Sequence, residues 1–317
     1  MSPDQDQEQP FYAWIITINR EPTDAEFALC LRCLDDESYY KICAIPDQDD
    51  AWRSLLGRLI PSIVMKQRNV PRNAWTIKTT KAGKPYIDAP QEEKHLGYNI
   101  AHDGSIVTMA FSLGRKHKVW NIGVDAVRIT LPRNIPFSTY VDSLSHKLTV
   151  TERTYLGVND PGSSPADNQR RALNRLFIIW TVKESYIKAL GQPAGFDFIR
   201  IECRIPESQI YVDGKKLNGW EFRLFKANVG VFRSPNSVFR EARKDGLNTV
   251  SVADPELQSE VYQCCMTIYR GGDQDGCVFK WGDQSSELGK YLRFVTLDAM
   301  VNAAKHLSAD GLGRERR

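Results

Sequence analysis

The sequence predicts an α+β protein assembled from two similar α/β units that follow one another in the chain. Three observations predict it. Aromatic and β-branched runs bounded by turn residues recur in both halves. Each half also carries one long amphipathic helical pattern. The halves match in the order of their elements, although not in sequence.

The elements follow in order. Residues 11–18 (Phe-Tyr-Ala-Trp-Ile-Ile-Thr-Ile) read as a strand. Residues 23–34 read as a helix, and residues 36–42 as a second short helix ending near Lys41. A longer helix places Trp52, Leu55, Leu56, Leu59, Ile60, Ile63 and Val64 on one face, and Pro61 inside it predicts a kink or a break. Residues 75–79 alternate as a strand does, and a basic turn, Thr80-Lys81-Ala82-Gly83-Lys84-Pro85-Tyr86, comes next. Residues 97–112 read as a hairpin about Asp103-Gly104. A further strand spans 119–129.

In the second half, Thr149 and Glu152 have the spacing of a capping box. Asn159 to Ala166 is a turn-rich loop. The long helix over 167–190 ends at Gly191, with Pro193 and Gly195 just beyond. Strands are expected at 197–205, 209–213, 220–226, 248–253, 260–269 and 276–281, with a turn at Asp213-Gly214, and a final helix at 286–306. The expected organisation is a disordered stretch over 1–10, a first unit over 11–120, a second unit over 121–306 bearing the long helix, and a disordered tail over 307–317.

Composition excludes several classes. Lys and Arg number 42 against 39 Asp and Glu, a net charge of +3. That is no footprint for bulk nucleic-acid binding, though it leaves room for a local basic groove. The first ten residues are acidic and polar, unlike a secretory signal or transit peptide, and no apolar run reaches membrane-spanning length. The 7 cysteines are odd in number and irregularly placed, as expected of reduced thiols in a cytoplasmic protein. Cys30 and Cys33 form a CxxC within a helical pattern. They read as small buried apolar residues, with redox or zinc chemistry the alternative.

The stretch Trp180-Thr-Val-Lys183-Glu184-Ser185-Tyr-Ile-Lys188 carries the chemistry. Residues four apart share a helical face, so Trp180, Glu184 and Lys188 form one stripe. Asp125 arrives separately, at the end of a strand. Two acids beside a cation can hold a hard divalent metal, orient a phosphate and accept a proton. A Glu and a Lys at this spacing are also what a solvated helix face contains, and Trp180 with Leu176 and Ile187 reads equally as core. Three further segments bear on the choice. In Asn99-Ile100-Ala101-His102, the histidine can donate to a phosphate oxygen or be an exposed turn residue. In Thr79 to Lys84, Gly83 lets the backbone approach a ligand and lysines attract phosphate, yet a basic hairpin turn looks the same. In Gly123-Val124-Asp125, the acid can be a rigidly held metal ligand or a turn residue.

Taken in order, these motifs resemble the 4′-phosphopantetheinyl transferases of the large monomeric class, and most of all the eukaryotic members that activate the aminoadipate-reducing enzyme of lysine metabolism. The resemblance covers about residues 11–205. It implies the pseudo-twofold pair of α/β subdomains of that fold, with the active site between them. It implies transfer of 4′-phosphopantetheine from coenzyme A, the co-substrate, to a serine of carrier domains, releasing 3′,5′-ADP. The carriers would be acyl, peptidyl or aminoadipate-reducing, serving lysine, polyketide or nonribosomal peptide synthesis. No nucleic acid or membrane partner is implied, and a monomer is expected.

By the same resemblance, Asp125 and Glu184 hold Mg²⁺, with Mn²⁺ an alternative, and Glu184, Lys188 and His102 are catalytic. The residues matched to coenzyme A are Lys41, Thr79, Thr80, Lys81, Gly83, Lys84, Pro85, Asn99, Ala101, His102, Lys183, Ser185 and Lys188. Lys188 would keep Glu184 ionised and contact phosphate. The sequence departs from the pattern in three places. Val127 stands where many bacterial members have a second carboxylate, Ala101 replaces a serine near the phosphates, and Thr79 stands where an arginine is common. Residues 133–150, with Phe137, Tyr140, Val141 and Leu144 at helical spacing, read as a carrier-docking face or as core. The competing readings are a catalytically silent relative that binds coenzyme A or a carrier, and an unrelated α/β protein.

Overall fold

The computed structural model describes residues 10–91, 94–114, 119–131, 134–191, 195–233, 256–272, 275–282 and 288–307. The first half runs β1 (Phe11–Thr17), α1 (Asp24–Leu31), α2 (Asp36–Cys43), α3 (Gln48–Gln67), β2 (Thr76–Thr79), β3 (Pro85–Asp88), β4 (His95–Asp103) and β5 (Ile106–Gly114). The second runs β6 (Ile122–Arg128), α4 (Phe137–Ser143), α5 (Val150–Leu156), α6 (Pro165–Leu190), β7 (Ile201–Arg204), β8 (Gln209–Val212), β9 (Lys215–Lys216), β10 (Trp220–Arg233), β11 (Glu256–Tyr269) and β12 (Cys277–Trp281). The last described elements are α7 (Leu288–Tyr291), β13 (Leu292–Thr296) and α8 (Leu297–Leu307).

Two sheets face each other. One has the order β13-β1-β5-β4-β3-β2 and the other β12-β10-β11-β6. Between them lie Phe11, Ala13, Ile15, Ala101, Ile106 and Ala110 of the first sheet, against Ile122, Val124, Ala126, Phe225, Tyr262, Cys264 and Met266 of the second. The outer face of the first sheet is covered by α1, α3 and α8, and that of the second by α6. Strand β1 is therefore buried on both faces, which explains its unbroken apolar run.

Three expectations change. Helix α3 continues unbroken through Pro61. Leu55, Leu56, Leu59, Ile60, Ile63 and Val64 are all buried along it. Burial of each such side chain contributes roughly 1.5–3 kcal/mol, so the stripe outweighs the ~3 kcal/mol an interior proline costs. The helix expected at 286–306 is a short helix, then strand β13, then helix α8. Residues 292–296 pair parallel with β1, and α8 packs on α1 and α3, so the last described segment completes the first sheet. A pairing across nearly the whole chain has no local signal. The β4–β5 turn is Gly104-Ser105, one residue later than read. The strand expected at 248–253 lies outside the described residues, as do 1–9 and 308–317 of the disordered stretches expected at 1–10 and 307–317, while Leu307 is the buried last residue of α8.

Helix α6 is anchored at both ends. The Ser164 side chain accepts from the Asp167 amide, and Pro165 occupies the first turn. Gly191 ends it in the left-handed region at φ 77°. Between the ends, α6 rests directly on β6 at Gly123, where a Cβ would overlap the Ser185 carbonyl oxygen. Lys183 points inward. It is 1% exposed and donates to Glu152 Oε2 at 2.7 Å, to the Lys147 carbonyl at 3.0 Å and to the Phe198 carbonyl at 3.1 Å. Glu152 forms the expected capping box with Thr149 and also accepts from the Cys203 amide. Replacing Lys183 by Met leaves a buried carboxylate without its cation and is expected to cost about 3–5 kcal/mol, checked by urea unfolding. Gly123→Ala is expected to lower the thermal midpoint by forcing α6 off the strand, an outcome calorimetry tests.

Candidate active site between strand β6 and helix α6

Strand β6 pairs with β11 on one side and leaves its other edge toward β4. Side chains of β4 satisfy that edge. Asn99 Oδ1 accepts from the Val124 amide at 2.9 Å, and Asp103 Oδ2 accepts from the Arg128 amide at 2.6 Å. The alternate residues Leu96, Tyr98 and Ile100 face α3, and His102 continues that row at the exposed end of the strand.

Gly123 and Asp125 lie on the face of β6 covered by α6. Because α6 approaches so closely at Gly123, its next side chains reach Asp125. Lys188 Nζ donates to Asp125 Oδ1 at 2.6 Å. Trp180, Glu184 and Lys188 are all half-buried, whereas their neighbours 181–183, 185–187 and 189 are buried. The predicted stripe is thus the line of α6 that borders the seam. Its upper end is covered by Lys147, whose ammonium sits 4.9 Å from the Trp180 ring centre.

The acids influence one another. Burial pushes the Asp125 carboxyl above its ordinary range, while the charge and hydrogen bond of Lys188 oppose the shift. Burial and the Asp125 charge push Glu184 upward, against Lys188 and Lys147. The two carboxyls therefore share one electrostatic environment, and among the described residues Glu184 accepts no hydrogen bond. His102 is lowered by desolvation, by the Arg53 charge and by Lys188, against Asp50 and Asp103.

Other expected site residues are placed elsewhere. Lys183 is spent in the second core, and Ser185 is buried, donating to the Val182 carbonyl and the Cys265 sulfur. Ala101 is 5% exposed between the sheets, so the serine it replaces would not simply line a phosphate pocket. Asn99 is engaged with β6. Lys84 is 5% exposed and donates to the Ile122 carbonyl at 2.5 Å and the Lys188 carbonyl at 2.6 Å. It clasps the first half to the end of α6, and Gly191 packs on the same loop beside Ala82. Thr79, Lys81, Gly83 and Pro85 are exposed around that turn, and Thr80 Oγ1 accepts from the Lys84 amide. Lys41 is exposed on α2 and pairs with Glu37 at 2.5 Å. Lys188 bonds Asp125 and acts on Glu184 only through space. Phe137, Tyr140, Val141 and Leu144 are half-buried against the second core, which favours the core reading of that face; position 133 lies outside the described residues.

Residues missed in the sequence join the site. Arg53 donates to the Gly104 carbonyl at 2.9 Å and to Asp50, and its buried Nε has no partner among the described residues. Asp103 was legible only as a turn residue, and Lys147 lies in a short 3₁₀ turn. A group of three or more metal-ligating side chains is not found among the described residues, in keeping with Val127 at the third position.

These features define a mixed α+β enzyme with acids and cations gathered where α6 lies on β6. Residues 19–113 match the family model for 4′-phosphopantetheinyl transferase, N-terminal, and residues 121–234 match the 4′-phosphopantetheinyl transferase superfamily. The chain is 37% identical over 208 residues to the 4′-phosphopantetheinyl transferase pptA of Paxillus involutus, covering 64% of this chain and 76% of that protein. It is 25% identical over 226 residues to the L-aminoadipate-semialdehyde dehydrogenase-phosphopantetheinyl transferase of Pongo abelii, covering 67% and 69%. It is 31% identical over 144 residues to the 4′-phosphopantetheinyl transferase gsp of Aneurinibacillus migulanus, covering 45% and 50%. The chain belongs to the 4′-phosphopantetheinyl transferases and transfers phosphopantetheine to carrier proteins. A silent relative finds no support in these likenesses.

Burial lowers Lys84 to about 7. Its folded-state value lies below its unfolded one, so its contribution to stability is full above about 10.5 and is lost as pH falls toward 7. Wild-type thermal midpoints are therefore expected to rise between pH 7 and 9.5 by more than those of Lys84→Met, measured by scanning fluorimetry across that range.

Proposed function

We propose that coenzyme A lies along the seam between the halves, with its pyrophosphate over Asp125 and Glu184. The single observation that carries this reading is the pair of carboxyls, remote in the chain, gathered beside Lys188, with burial raising the proton affinity of both and the Asp125 charge adding to that of Glu184. A divalent cation fits this donor set. It would relieve the repulsion between two partly desolvated acids, and hard oxygen ligands suit Mg²⁺ or Mn²⁺. Asp125 and Glu184 would hold it, with Val127 contributing nothing. When bound, the ion would neutralise the diphosphate and the charge that develops during transfer.

The chain's own residues divide the remaining work. Glu184, its proton affinity raised by burial and by Asp125, takes the proton of the carrier serine, directly or through a water. The serine oxygen then bonds to the β-phosphorus, and the phosphoanhydride bond breaks to release 3′,5′-ADP. Lys188 opposes the protonation of Asp125, and Arg53, Lys147 and His102 surround the phosphates as donors. Lys41 and the exposed loop at Thr79 to Lys81 are assigned to the adenosine end. The substrates are carrier domains, and likeness to the aminoadipate-type transferases supports an aminoadipate-reducing carrier among them. The protein acts as a cytoplasmic monomer; among the described residues no helix is long and apolar enough to cross a membrane.

Glu184→Gln is expected to lower kcat by about 10²- to 10³-fold while coenzyme A still binds, measured with a fluorescent coenzyme A analogue and a carrier domain. Unchanged transfer would remove Glu184 from the mechanism. Wild-type kcat should fall at acid pH through a value above the ordinary carboxylate range, and this limb should vanish in the variant. Chelation with EDTA is expected to abolish transfer and Mg²⁺ to restore it.

A further inference from the structure

We propose that Tyr262 is a positioning residue for the phosphate-binding edge of the site, holding the β4–β5 turn through its hydroxyl; the inference rests on the function proposed above. The ring of Tyr262 is wholly buried between the sheets, and a phenylalanine would fill that space equally well. The hydroxyl does something further. It crosses from β11 of the second half to the first, accepting from the Ser105 amide at 2.7 Å and donating to Glu260 Oε2. Glu260 is 1% exposed and pairs with Arg128 at 3.3 Å. Burial first, then Glu260, hold the phenol protonated well above its ordinary range, so it remains a donor at every working pH.

The turn is shaped to meet this group. Gly104 has φ +49°, and a Cβ there would lie 2.5 Å from the Tyr262 hydroxyl oxygen. Ser105 is 2% exposed, so its amide has no access to water in place of the hydroxyl. Asp103, one residue before the turn, accepts from the Arg128 amide, and Arg53 donates to the Gly104 carbonyl. Strand β11, strand β6 and helix α3 thus converge on three residues, Asp103, Gly104 and Ser105, and His102 precedes them at that hairpin end. Tyr262 contacts none of the reacting atoms. Its effect on the reaction runs through where His102, Asp103 and Arg53 stand relative to Asp125.

The test compares the wild-type full chain with Tyr262→Phe and Glu260→Gln. In the wild type, the Ser105 amide should exchange with solvent as slowly as the neighbouring ladder amides of β5. In Tyr262→Phe, its exchange should speed at least about tenfold. The KM for coenzyme A should rise about five- to tenfold with kcat within about twofold, since substrate placement suffers more than the chemistry at Glu184. Glu260→Gln keeps an oxygen for the hydroxyl to donate to, so its KM should stay within about twofold of wild type. Fast exchange at Ser105 in the wild type overturns the proposal whatever the variants do. So does an unchanged KM in Tyr262→Phe, or an equal rise in Glu260→Gln. Absence of any transfer by the wild type would instead sink the assigned function and leave the exchange result standing.

Discussion

The close approach of helix α6 to strand β6 is the constraint on which the rest depends. Side chains ordinarily hold a helix off the strand that it covers. Gly123 removes the side chain at the crossing, so the helix backbone settles onto the strand. Only at that separation can Lys188 reach Asp125 two residues along, and only then do Asp125 and Glu184 feel one another. The glycine in Gly-Val-Asp is therefore a matter of packing, and the aspartate's usefulness follows from it.

That closeness has an electrostatic cost. Two carboxyls brought out of water repel, and both are driven toward protonation. One ammonium at 2.6 Å offsets part of this for Asp125, and Lys147 offsets part for Glu184. The residual acidity mismatch makes the same pair both a seat for a divalent cation and a source of a base, because each role needs a carboxylate that binds positive charge more eagerly than a surface acid.

The cations in and around the motifs separate into two groups by direction. Lys183 and Lys84 turn inward and are consumed by carboxylate and carbonyl oxygens, one stabilising the second core and the other joining the halves. Lys188, Lys147 and Arg53 border the seam. Lys183 and Lys188, five residues apart on α6, belong to different groups, since five steps of about 100° leave their side chains roughly 140° apart. Sequence motifs thus mix residues that build the site with residues that work in it.

What the sequence by itself determined was the kind of each strongly periodic element, the stripe Trp180–Glu184–Lys188, the Asp125 partner, and the family. These rest on local spacing and on residue types that few other jobs require. Only the tertiary structure decided that β13 completes the first sheet, that Ala101 and Ser185 are buried, that Lys84 is a clasp, and that Arg53 and Asp103 stand beside His102. Each of those outcomes depends on which distant segment lies opposite a residue. Local spacing sets the face on which a side chain stands, whereas its partner comes from a fold that closes over nearly three hundred residues of chain.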